Sequence, residues 1–328
     1  MKIRLLIMPI LSLLLLVIFS LKSSAQTKNN YTLWYEKPAK DWNEALPIGN
    51  GRLGAMIFGR VKEELLQMNE QTLWTGGPVN PNPNPEASKY LPQVREALFK
   101  DSIGKAVKLL RKMQGPNTQM YQPLGNIIIK QNAIGEPTNY YRSLDIANAI
   151  AITKFTINGV DYTREYFISA PDQVMIIKLT ASKKNALSVS FKVNNELAFK
   201  TFTEGNKDLI LKGKARITND ERRNPKPIVF TDENSCNGMR YEMRVRVVNT
   251  DGAVSTDSLL NINNATEAYV IVSAATSFNG IDKCPDKDGK DEVAEDLKYL
   301  NAASLKQYQT IKTAHVKDYT NFFNRLDL

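Results

Sequence analysis

One stretch of the chain, Met68-Asn69-Glu70-Gln71-Thr72-Leu73-Trp74-Thr75-Gly76-Gly77-Pro78, gathers amides, a carboxylate, hydroxyls and an indole beside two glycines. These are the groups a sugar site uses. Planar polar side chains bind hydroxyls, and an aromatic face stacks on the C–H face of a pyranose. Glu70, Thr72 and Trp74 are therefore the candidate substrate-binding residues. The commoner role for such a cluster is structural, with Trp74 plugging the core and Asn69 and Glu70 shaping a turn. Glycosidases work with two carboxylates roughly 5 to 9 Å apart. Glu44, Glu70 and Asp145 are available, but sequence spacing selects no pair, and no catalytic residue is assigned. Glu63-Glu64 reads as a solvated hairpin tip, and Tyr121-Gln122-Pro123-Leu124-Gly125 as a turn without chemistry.

Other chemistries are poorly supplied. His315 is the single imidazole, and Cys236 and Cys284 are the only thiols. No His-rich or Cys-rich metal cage can be assembled from so few ligands. A Ser–His–Asp triad would depend on His315, in a lysine-flanked helical stretch near the end. Neither a GxxxxGK[ST] loop nor a GxGxxG fingerprint occurs, so no nucleotide cofactor is expected, and no metal.

The elements that must position these groups follow from periodicity. The chain has 328 residues, 42% of them apolar and 23% charged, a globular composition of one large domain or two ordinary ones. Thr32–Tyr35, Leu53–Phe58 and Leu65–Met68 read as strands, with a turn at Pro47–Gly51. Proline and asparagine alternate over Pro78–Pro85, which must be a loop. Glu86–Met113 has helical spacing, stopped by Gly115-Pro116. From Tyr121 to Ala275 the period is two. Asn158-Gly159 is a favoured type I′ hairpin turn, which sets Ile157 against Val160 and Phe155 against Tyr162. Leu187–Asn194 and Met239–Val247 alternate apolar and polar residues, and imply one dry and one wet face each. Strands also fit Val174–Thr180, Asp208–Lys214 and Ala268–Ala275. So many antiparallel strands call for a mainly β protein, a large β-sandwich with a short helical insertion. Helical spacing returns from Asp291 to Arg325 and reads as one long connector helix.

The amino terminus reads as an export signal: Lys2 and Arg4, an apolar run from Leu5 to Leu21, then Lys22-Ser23-Ser24-Ala25-Gln26, with cleavage after Ala25. The run is interrupted by Pro9, Ser12 and Ser20 and is short for a membrane anchor. Losing Lys2, Arg4 and Lys22 lowers the formal net charge from +9 to +6. The remaining basic residues are scattered among acids, as in Arg240–Arg246, a solvated pattern that does not suit nucleic acid. The expected location is secreted or periplasmic, with no membrane association after cleavage. In an oxidising compartment Cys236 and Cys284 could pair, but sequence does not fix their separation.

A family resemblance joins these segments. Leu33-Trp34-Tyr35 and the run Trp42–Met56 (WNEALPIGNGRLGAM) resemble the opening of glycoside hydrolase family 95. Asn69–Pro78 (NEQTLWTGGP) is similar to its next block. So are Tyr121–Gly125, Tyr141-Arg142-Ser143-Leu144-Asp145, Ala170-Pro171-Asp172-Gln173 and Ala275–Gly280. His315, Asp318-Tyr319 and Phe323-Asn324-Arg325 resemble the end of that family's amino-terminal domain. The resemblance implies an exo-acting, inverting α-L-fucosidase, with α-L-galactosidase as a known variation. It also implies an amino-terminal β-supersandwich, a helical linker, an α/α barrel and a small carboxyl-terminal β-domain. The family's catalytic residues lie in the barrel, so none is carried onto a position here, and the chain alone is expected to be inactive. The implied domains are a signal peptide over 1–25, a β-sandwich over 26–285, and a helical linker over 286–328 leading to a barrel beyond the chain. The expected partners are a fucosylated oligosaccharide or polysaccharide and that barrel. A free-standing carbohydrate-binding or structural sandwich is the alternative.

Overall fold

The computed structural model describes residues 31–115, 119–217 and 236–326. The signal-peptide reading therefore lies outside the described residues. Among the described residues, sixteen strands make two sheets. The seven-stranded sheet contains β2 (Leu46–Gly49), β3 (Leu53–Ile57), β4 (Glu63–Glu70), β5 (Gly125–Gln131), β10 (Leu187–Asn194), β14 (Ala253–Thr256) and β15 (Leu260–Ala265), in the order β14-β15-β10-β5-β4-β3-β2. The nine-stranded sheet contains β1 (Thr32–Tyr35), β6 (Thr138–Asp145), β7 (Ile150–Ile157), β8 (Val160–Ser169), β9 (Val174–Ala181), β11 (Ala198–Glu204), β12 (Asp208–Lys214), β13 (Arg240–Thr250) and β16 (Glu267–Thr276). Its order is β1-β6-β7-β8-β9-β16-β13-β12-β11, so β16, late in the chain, sits centrally between β9 and β13. Phe191 and Val245 both lie in strands, as the alternating pattern requires.

The core lies between the sheets. Leu66, Ile127, Ile129, Val189 and Phe191 from one sheet meet Tyr166, Ile177, Met243, Val245 and Val270 from the other, all fully buried. The period of two places these residues on inner faces. The β7–β8 hairpin pairs Ile157 with Val160 and Phe155 with Tyr162, and Asn158 and Gly159 both take positive φ (51° and 71°) as the type I′ turn demands. The insertion between β4 and β5 is not one helix but two, α1 (Ala87–Phe99) and α2 (Ile103–Met113), broken where Asp101 turns left-handed at φ 49°. They pack on each other through Val94, Ala97, Ala106 and Leu109.

Three sequence expectations need correction. Glu63 is exposed, but Glu64 is not on a solvated tip: it points into the sandwich and is fully buried. Tyr166 Oη donates to it at 3.0 Å, the amides of Arg60 and Leu65 donate at 3.2 and 3.0 Å, and Arg164 stands 3.7 Å away. Burial raises its pKa against those partners. The terminal helix is also two, α3 (Glu292–Ser304) and α4 (Tyr308–Phe323). They lie on the outer face of the nine-stranded sheet, where Leu300, Ala303 and Ile311 seal Phe167, Ile176 and Ile271.

For the same reason β13 has no wet face. Glu242, Arg244 and Arg246 are buried under α3 and paired there. Arg244 Nε donates to Glu242 at 2.5 Å, and Arg246 grips Asp208 with Nε at 2.7 Å and Nη2 at 2.5 Å. From α3, Glu292 accepts from Arg240 Nε at 2.9 Å, and Asn301 accepts from Arg246 at 2.8 Å. The alternation was real, but the polar rows serve a helix instead of water. Cys236 and Cys284 form a disulfide, with Cα atoms 5.7 Å apart. His315 is buried on α4, stacked on Phe167, with Nε2 3.0 Å from Asn148 O. Burial lowers its pKa. It has the surroundings of a packing residue.

Candidate functional site

The Asn69–Pro78 segment begins as the end of β4, where inward-facing Glu70 is 2% exposed. Its Oε2 accepts from the Thr72 amide at 2.7 Å and the Thr72 hydroxyl at 2.5 Å, and the Leu73 amide donates to its carbonyl at 3.1 Å. This is a carboxylate-capped turn that stops the strand. With the Thr72 proton committed to Glu70, the Thr276 hydroxyl, 2.5 Å away, is the donor in the next link, and it accepts from the Phe278 amide at 3.3 Å. The turn at the end of one sheet is thereby tied to the last residue of β16 in the other.

Arg52 completes the arrangement. Its Nη1 is 3.7 Å from Glu70 Oε1 and donates to Ala274 O at 2.7 Å, while Nε donates to Gln173 Oε1 at 2.6 Å and Nη2 to Gln173 O at 2.8 Å. The guanidinium lies over the Tyr299 ring of α3, 4.7 Å from its centre. One side chain thus connects the turn after β2, the β8–β9 turn, β16 and α3. Both carboxylate oxygens of Glu70 face protein, and the side chain braces the turn.

The residues after Glu70 divide between core and surface. Leu73 is fully buried and anchors the turn, while Trp74 is 41% exposed. The reading of Trp74 as a core plug is therefore corrected, since its neighbour has that role. Trp74 Nε1 donates to Gln71 O at 2.8 Å, which fixes the ring. Tyr121, 46% exposed, sets its ring edge-on at 82° with centres 6.4 Å apart. Burial of the hydroxyl side raises the Tyr121 pKa. A β-bridge joins Trp74 to Tyr121, flanked by Thr75 N to Met120 O at 2.8 Å and Gln122 N to Leu73 O at 2.9 Å. Sequence reasoning placed Arg52 and Tyr121 within family blocks but gave neither a role, because each acts across a long span of chain.

The carboxylates considered for acid–base work each hold local structure. Glu44 accepts from the Lys40 amide at 2.8 Å, Asp145 accepts from Asn148 Nδ2 at 2.7 Å, and Glu70 holds its turn. Among the described residues no three His, Cys, Asp or Glu side chains cluster as a metal site requires.

Residues 33–281 match the family model described as glycosyl hydrolase family 65, N-terminal domain. The chain belongs to that family. The stretch resembling family 95 is this same amino-terminal domain of a glycoside hydrolase. Its relatives include alpha-L-fucosidase 2 of Arabidopsis thaliana, 30% identical over 309 residues, covering 90% of this chain and 36% of the relative. Proteins described as probable alpha-fucosidase A come from Aspergillus niger, 29% identical over 90% of the chain and 37% of the relative, and Aspergillus oryzae, 28% identical over 93% and 42%. The chain thus spans about two fifths or less of these relatives' length. A putative kojibiose phosphorylase from human microbiome shares the fold, with TM-score 0.53, 10% identity, and coverage of 90% of this chain and 38% of that one.

Proposed function

We propose that this family 65 N-terminal domain serves a secreted or periplasmic α-L-fucosidase-like hydrolase that removes terminal α-L-fucosyl residues from glycans. The observation that carries the reading is similarity over nine tenths of the chain to relatives named as α-fucosidases. A glycosidase needs an acid and a base at the scissile bond. Glu44, Glu70 and Asp145 are each committed to local structure, so the reading assigns both roles to a catalytic domain of the α/α-barrel kind. Residues 1–25 act as the export signal, 26–285 as the sandwich, and 286–328 as the helical link. Within the sandwich, Glu70 and Thr72 set the turn, and Trp74 with Tyr121 offers the exposed surface that touches sugar or the catalytic domain's loops.

The test is release of L-fucose from 2′-fucosyllactose by this domain joined to the catalytic region of its enzyme, beside the 328-residue chain alone. Release is expected only from the joined protein. Trp74→Ala in that protein is expected to lower kcat/KM at least several-fold without lowering its melting temperature. Fucose release by the chain alone, or none by the joined protein, overturns the reading. Amino-terminal sequencing of exported protein is expected to begin at Gln26.

A further inference from the structure

The outer face of the seven-stranded sheet carries a groove of about 570 Å³, within the range of small-ligand sites. Outward-facing residues of neighbouring strands form its floor. Cross-strand register places Gln67 beside Asn126, and Asn126 beside Asn194, whose Oδ1 accepts from Asn126 Nδ2 at 2.9 Å. Gln67 and Asn126 line the groove, one strand spacing of about 4.8 Å apart, and Asn194 holds the Asn126 amide in place from the next strand. Asn69 lines the groove next to Gly54 in register. Its Oδ1 is buried without a hydrogen-bond partner among the described residues.

The walls suit the same ligand. Trp42, 58% exposed, and Tyr121 both line the groove and present aromatic surface to solvent. Glu196 is the single charged lining residue, so nothing in the groove attracts an anion or a phosphate. Amides on the floor, aromatic rings on the walls and near-neutral lining are the chemistry that recognises an uncharged chain of sugars: hydroxyls to the amides, C–H faces to the rings. At Gly54 the missing side chain keeps the floor low. A Cβ there would stand 3.7 Å from Asn69 Cβ, in ordinary contact, so a larger side chain would fill the groove without straining the strand.

We propose that this groove binds a neutral oligosaccharide segment, independently of where any glycosidic bond is cut. The groove chemistry stands apart from the fucosidase reading, and only the choice of a fucosylated probe rests on it. The test titrates the 328-residue chain with lactose and with 2′-fucosyllactose, using tri-galacturonate as anionic control, by saturation-transfer NMR and calorimetry. Saturable binding of one or both neutral sugars is expected, with none of the anion. Gly54→Leu and Trp42→Ala are each expected to weaken it at least about tenfold. Trp34→Ala, equally exposed on the other sheet, is expected to leave it unchanged. Trp42 is mostly exposed, so that variant keeps the test valid should Gly54→Leu unfold. No saturable binding of either neutral sugar overturns the proposal, as does affinity that survives both groove substitutions. In the latter case the face is free of sugar and open to the catalytic domain. Lactose binding without fucose release by the joined protein would leave the groove standing and remove the fucosidase reading. Release without binding would do the reverse.

Discussion

The outer face of the nine-stranded sheet is closed by α3 and α4, while that of the seven-stranded sheet lies open along its groove, though both start from the same alternation. On the closed face the outward rows hold charges that match the helices: Arg240 with Glu292, Arg244 with Glu242, Arg246 with Asp208 and Asn301. Along the groove of the open face they hold Gly54, Met56, Gln67, Asn69 and Asn126, while Glu63, Lys130 and Lys192 lie farther along the sheet. Charges removed from water must be paired, and pairing them fixes where the helix sits. Neutral amides tolerate both water and a ligand, so that face can stay uncovered. The difference between the covered face and the open groove thus lies in the outward residues and not in the strands.

The comparison can be broken most sharply at Arg244. Arg244→Ala leaves Glu242 and Asp296 buried without their guanidinium and is expected to cost about 3–5 kcal/mol in urea unfolding. Gln67→Ala on the open face is expected to change stability by less than about 0.5 kcal/mol. Equal losses at the two sites would remove the distinction. Cys236→Ser with Cys284→Ser should cost about 2–4 kcal/mol, because the bridge closes a 48-residue separation. Thermal melts with and without reductant check this.

Another effect follows from pH. Asp296 on α3 is fully buried, and Arg244 Nε stands 3.7 Å away. Burial, opposed by that guanidinium, pushes its pKa up to about 8. An acid that keeps its proton on folding favours the folded state most at low pH. The advantage falls as pH rises from about 4 to about 8, by up to about 1.4 kcal/mol per unit. Asp296→Asn removes this loss, so its melting temperature should gain on the parent between pH 5 and 8. A constant difference across that range would show that Asp296 does not hold its proton. Smallest is Glu70→Gln, which keeps the shape of the turn but weakens the bond to Thr72 and the pull of Arg52. A loss of about 1–2 kcal/mol is expected in the same urea assay. No loss would mean the turn does not depend on that carboxylate.

Much of the sandwich was legible because its cause is local. The strands at Asp208–Lys214 and Leu187–Asn194 and the Asn158-Gly159 hairpin each rest on period-two spacing or turn chemistry within a few residues. What could not be read was any role assigned by a distant element. Glu64 looks solvated beside Glu63 until Arg164 and Tyr166 arrive from β8. The arginines of β13 look exposed until α3 covers them. The Asn69–Pro78 cluster was found from its composition, but the division of labour within it was not. That Leu73 is anchor, Glu70 brace and Trp74 surface depends on Arg52, Tyr121 and Thr276, none of them sequence neighbours.

The central place of β16 has a consequence for how the chain comes to be folded. Everything from β6 to β9 can assemble by hairpins between consecutive strands, and so can β11 to β13. The two halves join only when Glu267–Thr276 emerges and inserts between Val174–Ala181 and Arg240–Thr250. Until then the rim of β9, with Met175 and Ile177 on one side and Ile176 on the other, is an unpaired apolar edge, the kind of surface on which chains stick to one another. Assembly of the nine-stranded sheet therefore waits on β16. A product cut short before Glu267 is expected to aggregate instead of forming a smaller sandwich, and a holding chaperone would be most useful during that interval.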